Sequence, residues 1–212
     1  MTLARTVLVR PERVVRWFDN FEARHGAADF IVQQGCLLAA ADDGSVAVAA
    51  LPFGRGYDGA PDRHTFADAA LAPVHWGILL VRKGGFAVAC LQGSDSVGSK
   101  VGQRHVQGRT KAGGQSQQRF ARRRDNQARQ AYEAAAGHAH RVLVLETTDR
   151  IEALVCGGDR SAVDAVLADP RLEQLTVVRT DPWLDVPDPR RRVLDQAAID
   201  GRSARITVTD PE

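Results

Sequence analysis

Two apolar runs, Trp76–Arg82 and Gly84–Leu91, meet at Lys83-Gly84-Gly85. A connection this tight can only join antiparallel neighbours, because a parallel pair needs a crossover of a dozen residues or more. A third strand is expected from about Lys100 to Gln107, where Val101, Gln103, His105 and Gln107 alternate with Gly102, Arg104 and Val106. A long helix is expected from near Ser116. It carries Phe120, Ala128, Ala131, Ala135, Val142 and Leu145 at helical steps, so one stripe can be buried. Gly137 is its weak point, and Arg141–Glu146 is read as its continuation rather than as a strand. Ile151–Cys156 then reads as a buried strand ended by Gly157-Gly158, with Asp159 or Ser161 capping a helix through Leu167 that Pro170 stops. Leu175–Val178 reads as one more strand. Two strands separated by a helix imply a parallel crossover. The fold class is therefore α/β, a mixed sheet of the α+β kind with helices on its faces.

Upstream, Pro11 opens a helix to His25 with Val14, Val15, Phe18 and Phe21 on one side, and Gly26 closes it. Apolar runs follow at Phe30–Val32, Cys36–Ala41 and Val46–Leu51, and Asp43-Gly44 between the last two signals a hairpin. Gly54 to Pro61 reads as a surface loop. It contains GRGYDG, a match to G-x-G-x-x-G, but a dinucleotide fingerprint must open a helix and here Pro61 follows. A short helix is expected over Phe66–Ala72. Beyond Asp181 the chain is rich in Pro and Asp, with a helix expected over Arg190–Ile199 and a strand over Ala204–Val208. The expected division is an N-terminal α/β extension over 1–71, on the central sheet or beside it, a central domain over 72–181, and a C-terminal segment over 182–212 packing on that central domain.

The stretch from Gly108 to Arg124, GRTKAGGQSQQRFARRR, is unlike the rest. Gly113 and Gly114 allow backbone conformations and close approaches that a Cβ would forbid. Gln115 follows at once, and Ser116 can cap a helix. Arg119, Arg122, Arg123 and Arg124 then crowd the first turns, where cations oppose the helix dipole. That arrangement makes sense against a polyanion. Of the 28 Lys and Arg residues, nine fall between Ser99 and Arg129, against one of the 26 acids, Asp125. The remainder of the chain has an acidic excess, so the charge marks a local nucleic-acid contact.

The string GGQSQQRFARRR resembles the middle domain of archaeal and eukaryotic class I peptide release factors, in which a Gly-Gly-Gln loop is followed by Ser, two variable residues, Arg-Phe and further arginines. The wider pattern, from about Trp76 to Val178, is similar to the actinobacterial Vms-like release factors, which cleave peptidyl-tRNA on stalled ribosomes. The resemblance implies a ribonuclease-H-like middle domain with an N-terminal α/β extension. It also implies a codon-independent peptidyl-tRNA hydrolase for ribosome rescue. Gln115 would position the hydrolytic water in the peptidyl-transferase centre, with Gly113 and Gly114 admitting the loop. Glutamine suits that task, being a donor and an acceptor that stays neutral at any cellular pH. Lys100, Arg104, Arg109, Lys111, Arg119, Arg122, Arg123 and Arg124 would contact RNA. The implied partners are the rRNA of the large subunit and peptidyl-tRNA, with neither DNA nor membrane. The short upstream region carries no stop-codon-reading motif of that family, so rescue is expected rather than ordinary termination.

No cofactor and no metal is expected. Cys36, Cys90 and Cys156 lie far apart in apolar surroundings, without metal-ligand spacing, and read as buried thiols of a reducing compartment. No apolar run approaches a membrane span and no signal-peptide pattern opens the chain, so a cytoplasmic protein is expected. His105, His138 and His140 read as surface residues. No paired carboxylates flank the loop, which sets this chain apart from ribonuclease-H-like nucleases that hold two metals. Two competing functions remain open from sequence: a non-catalytic factor that occupies the ribosomal A site, and a tRNA-directed endonuclease.

Overall fold

The computed structural model describes residues 4–71, 73, 75–103, 129–147 and 149–211. The chain forms two compact units, one of residues 1–72 with 199–212 and one of residues 73–198.

The first unit is built on strands β1 (Ala4–Val9), β2 (Ala28–Gln33), β3 (Cys36–Ala41) and β4 (Val46–Ala50), joined by β10 (Ala204–Thr209) from the far end of the chain. Their order is β1-β10-β4-β3-β2, antiparallel throughout. The Asp43-Gly44 hairpin is present, with Gly44 at φ 87° where a side chain would be strained. Helix α1 (Val14–His25) follows a short 3-10 turn at Pro11–Arg13, and Gly26 N–H caps it on the Glu22 carbonyl. Val14, Phe18 and Phe21 recur at i, i+4 and i+7 and are buried, with Phe66 of helix α2 (Arg63–Ala69), Leu37 and Ile206 in the same core. Each large side chain so buried contributes about 1.5–3 kcal/mol. The Asp62 carboxylate accepts from His64 and Thr65 N–H groups and starts α2.

Three expectations change in this unit. β1 is a strand that the sequence pattern does not announce. The 54–61 loop is more than a surface connection, because Tyr57 is 3% exposed, meets Phe66 edge to face, and donates its backbone N–H to the Gly35 carbonyl. The C-terminal segment expected over 182–212 on the central domain is corrected in its last part. β10 lies between β1 and β4, where Ala204, Ile206 and Val208 are buried and backbone bonds are made on both sides.

The second unit contains β5 (His75–Arg82), β6 (Gly85–Gln92), β7 (Asp95–Gln103), β8 (Ala153–Gly158) and β9 (Arg179–Leu184) in the order β7-β6-β5-β8-β9. The first three form the expected antiparallel meander, and β5, β8 and β9 are mutually parallel. Helix α3 is described over 129–140 and runs into a π-helical turn, Arg141–Leu145, closed by the Glu146 N–H on the Arg141 carbonyl at 2.9 Å. The helical reading of this stretch therefore holds, and the wide turn brings both Val142 and Leu143 into the core. Helix α4 (Arg160–Leu167), capped by the Asp159 carboxylate, supplies the parallel crossover, and a 3-10 turn and the single helical turn α5 (Glu173–Thr176) follow. Helix α6 (Arg191–Gly201) precedes β10. One core joins Leu79, Val88, Ala135, Leu143, Leu154 and Val163, so α3 and α4 cover the same sheet face.

The strand expected at Leu175–Val178 is a helical turn there, and the strand is β9, four residues later. Leu172 and Leu175 are both buried by that turn, so packing overrides the β-branched run at Thr176–Val178. β7 begins at Asp95, five residues before the expected start. It is the edge strand, and its first residues are exposed and polar, so no apolar alternation announces them.

Gly137 lies within α3, and a Cβ added there would meet no atom within 4 Å. Gly137→Ala should therefore stabilise the protein by about 0.5–1 kcal/mol, since only the excess freedom of the unfolded chain is removed. Urea unfolding should show a higher midpoint with an unchanged slope.

Candidate functional site

Gln115, Gly113 and Gly114 lie outside the described residues, as do Arg104, Arg109, Lys111, Arg119, Arg122, Arg123 and Arg124, together with His105, Phe120 and Asp125. The fold describes the two points that this segment connects. One is Gln103, the last residue of edge strand β7, and the other is the first turn of α3 at 129. β7 and β5 are both antiparallel to β6, and β8 is parallel to β5. The carboxyl ends of β5, β7 and β8 therefore share one end of the sheet, and the basic segment departs from that end.

Lys100 is the one RNA-contact candidate within the described residues. It sits opposite Val88 in the β6–β7 ladder and is exposed. Two residues on, Gly102 faces Phe86, and a Cβ at position 102 would fall 2.2 Å from the Phe86 ring. Glycine here creates the space that the ring occupies. The Phe86 ring also stacks on the His138 imidazole, with centroids 5.4 Å apart and planes inclined by 23°. His138 is thus half-buried in the unit rather than a freely solvated histidine. Burial first, and then the charges of Lys100 and Arg141, hold its pKa below the ordinary imidazole value. The ring is neutral at neutral pH.

A cavity of about 360 Å³ opens between these walls. Phe86, His138, Tyr132, Gln103, Gln130 and Arg82 contribute to its lining, so it sits at the root of the basic segment. One guanidinium nitrogen of Arg82 donates to the Val186 carbonyl at 2.6 Å, which fixes that side chain. Burial and the nearby Asp159 carboxylate raise the Tyr132 pKa, so its hydroxyl stays protonated. Sequence reasoning missed this cavity. Its walls come from the β5–β6 hairpin, the end of β7 and helix α3, and only the tight Gly84-Gly85 connection hinted that Phe86 would lie near a strand end.

A Ser, a His and an Asp do meet in the first unit. Asp43 Oδ2 and Ser45 Oγ lie 2.9 Å and 3.0 Å from His25 Nδ1. A hydrolytic triad uses the two ring nitrogens for its two partners, whereas here both partners share one. Ser45 N–H also donates to Asp43 Oδ1. The cluster fastens the β3–β4 turn to the end of α1. Among the described residues, no group of three His, Cys, Asp or Glu could hold a metal ion. Cys90 and Cys156 are buried, and burial pushes the Cys156 thiol up to about 12, so it is inert as a nucleophile. No described helix is long and apolar enough to cross a membrane.

The family described as Actinobacteria/chloroflexi VLRF1 release factor matches residues 74–207. No protein of the curated set matches the chain. Among solved structures, the archaeal translation termination factor aRF1 is similar at 12% identity and a TM-score of 0.38, over 92% of this chain and 63% of that one. Pelota of Archaeoglobus fulgidus is similar at 12% identity and a TM-score of 0.32, over 93% of this chain and 62% of that one. A further archaeal protein is similar at 14% identity and a TM-score of 0.36, over 77% of this chain and 52% of that one. The chain thus spans between about half and three fifths of the length of these proteins.

Proposed function

The chain belongs to the VLRF1 release-factor family, and from that premise we propose that it hydrolyses peptidyl-tRNA, freeing nascent chains from stalled ribosomes or large subunits. The observation that carries this reading is GGQSQQRFARRR at 113–124, inside the matched span. The bond to be broken is the ester between the peptide and the terminal ribose of tRNA. An ester needs little intrinsic activation. What it needs is one water held in line with the carbonyl, and positioning alone removes several kcal/mol of barrier. Gln115 orders that water with its amide, and its backbone N–H faces the developing oxyanion. Gly113 and Gly114 let the backbone enter a narrow RNA-lined centre. The arginines at 119, 122, 123 and 124, with Lys100, Arg104, Arg109 and Lys111, hold the segment against rRNA phosphates.

The test uses purified protein and stalled large subunits carrying labelled peptidyl-tRNA. These subunits hold no codon, so release from them also tests codon independence. Free peptide together with intact tRNA supports hydrolysis. Occupancy without release points to an A-site-blocking factor, and shortened tRNA points to an endonuclease. Either of those outcomes defeats the proposal.

The basic residues give a separate prediction. Arg122→Ala and Arg123→Ala should each weaken subunit binding modestly. Each should also flatten the dependence of log affinity on log salt by about 0.7 for every phosphate left without its cation. Binding measured between low and moderate salt checks this. A weaker affinity with an unaltered slope would mean that the residue holds structure rather than phosphate.

A further inference from the structure

The cavity at the root of the basic segment has the chemistry of a base-binding pocket, and we infer that it takes one unpaired nucleobase of the RNA on which that segment lies. The inference rests on the RNA-contact reading above and names what the described part of the fold adds to it. At about 360 Å³ the cavity is near the lower limit for ligand pockets, room for a single nucleoside rather than a peptide or a duplex. Phe86 and His138 already form a stack of two flat rings at its edge, and Tyr132 supplies a third ring in the lining. RNA-binding proteins take splayed-out bases on such aromatic and imidazole faces.

The polar groups suit the edge of a base. Gln103 presents an amide with a donor and an acceptor, and Arg82 is held in place through Val186. The lowered pKa of His138 keeps that ring neutral, so it offers a stacking face and one donor without a charge to desolvate. Positive charge comes from Arg82 in the lining and from Lys100 and Arg141, both near enough to act on His138, which favours a phosphate nearby. The location agrees as well. The cavity touches the last residues of β5 and β7, Arg82 and Gln103, the second of which leads into the basic segment.

The experiment uses the full chain and a short single-stranded RNA in which one base is 2-aminopurine, whose fluorescence falls on stacking. Wild-type protein should bind the RNA and quench the signal. His138→Ala should bind roughly tenfold more weakly, the scale of one base-aromatic stack, with the salt slope unchanged. His138→Phe should restore both affinity and quenching, because a flat ring again offers a stacking face. Thermal melts of both variants separate misfolding from a missing stacking face. If wild type binds with a normal salt slope but 2-aminopurine at no position is quenched, or if His138→Ala behaves as wild type, the pocket assignment is overturned and the RNA-contact reading stands. If wild type binds no RNA at all, that reading falls and takes the pocket with it.

Discussion

Gln115→Ala is expected to slow peptide release from stalled large subunits by about 100-fold or more, with subunit binding unchanged. The expected size follows from the role proposed for the side chain. Removing one pre-positioned hydrogen-bonding group aimed at the reacting centre costs about 100- to 1,000-fold in turnover in hydrolases. The alanine variant keeps the backbone N–H at position 115, so any part played by that group in steadying the oxyanion survives and sets the residual rate. On the proposed reading the arginines and Lys100, not the amide, engage phosphate, so affinity should hold. The signature is thus a fall in the single-turnover release rate without a rise in half-saturating protein concentration, the pattern of an interaction made only in the transition state. Release by Gln115→Ala at the wild-type rate would remove the water-positioning role and with it the assigned chemistry. A fall in affinity equal to the fall in rate would instead place Gln115 among the anchoring residues.

Much of the second unit can be read directly from the chain, for local reasons. β5 and β6 are long apolar runs joined by a glycine turn, and Asp159 stands where a helix cap must stand before an apolar stripe. Elements that depend on distant partners are harder to read. β1 and β10 pair across almost the whole length of the chain, Ala4 against Thr209 and Val9 against Ala204, and nothing in either stretch names the other. β7 starts in polar residues because an edge strand needs apolar side chains on one face at most. The basic segment presents the reverse case. Its motif is legible from the order of a dozen residues, whereas the pocket at its base depends on Gly102 standing beside Phe86, a juxtaposition set by strand register and invisible in the sequence.

The glycines at the end of β8 read in the sequence as stopping that strand, yet they lie within it, and this yields a large expected effect on stability. Gly157 pairs with Leu80 on one side and Leu184 on the other, at a point where the β8–β9 register shifts. A Cβ there would sit 2.5 Å from the Leu184 carbonyl oxygen, 2.8 Å from Leu184 Cβ and 2.9 Å from Leu80 Cδ2. The nearest of these is backbone, so no rotamer change relieves the clash, and β9 must move away from β8. Overpacking of this kind costs about 1–3 kcal/mol, and a clash with backbone belongs at the upper end. Gly157→Ala should therefore lower the unfolding midpoint by roughly 6–12 °C, on the scale of about 2–4 °C per kcal/mol for a chain of this size. Gly137→Ala, the same chemical change where no atom lies within 4 Å, should move it slightly upward. The opposite signs separate steric demand from the general cost of glycine. Should Gly157→Ala melt at or above wild type, β8 and β9 would have to be paired in a register different from the one that brings Leu184 beside Gly157.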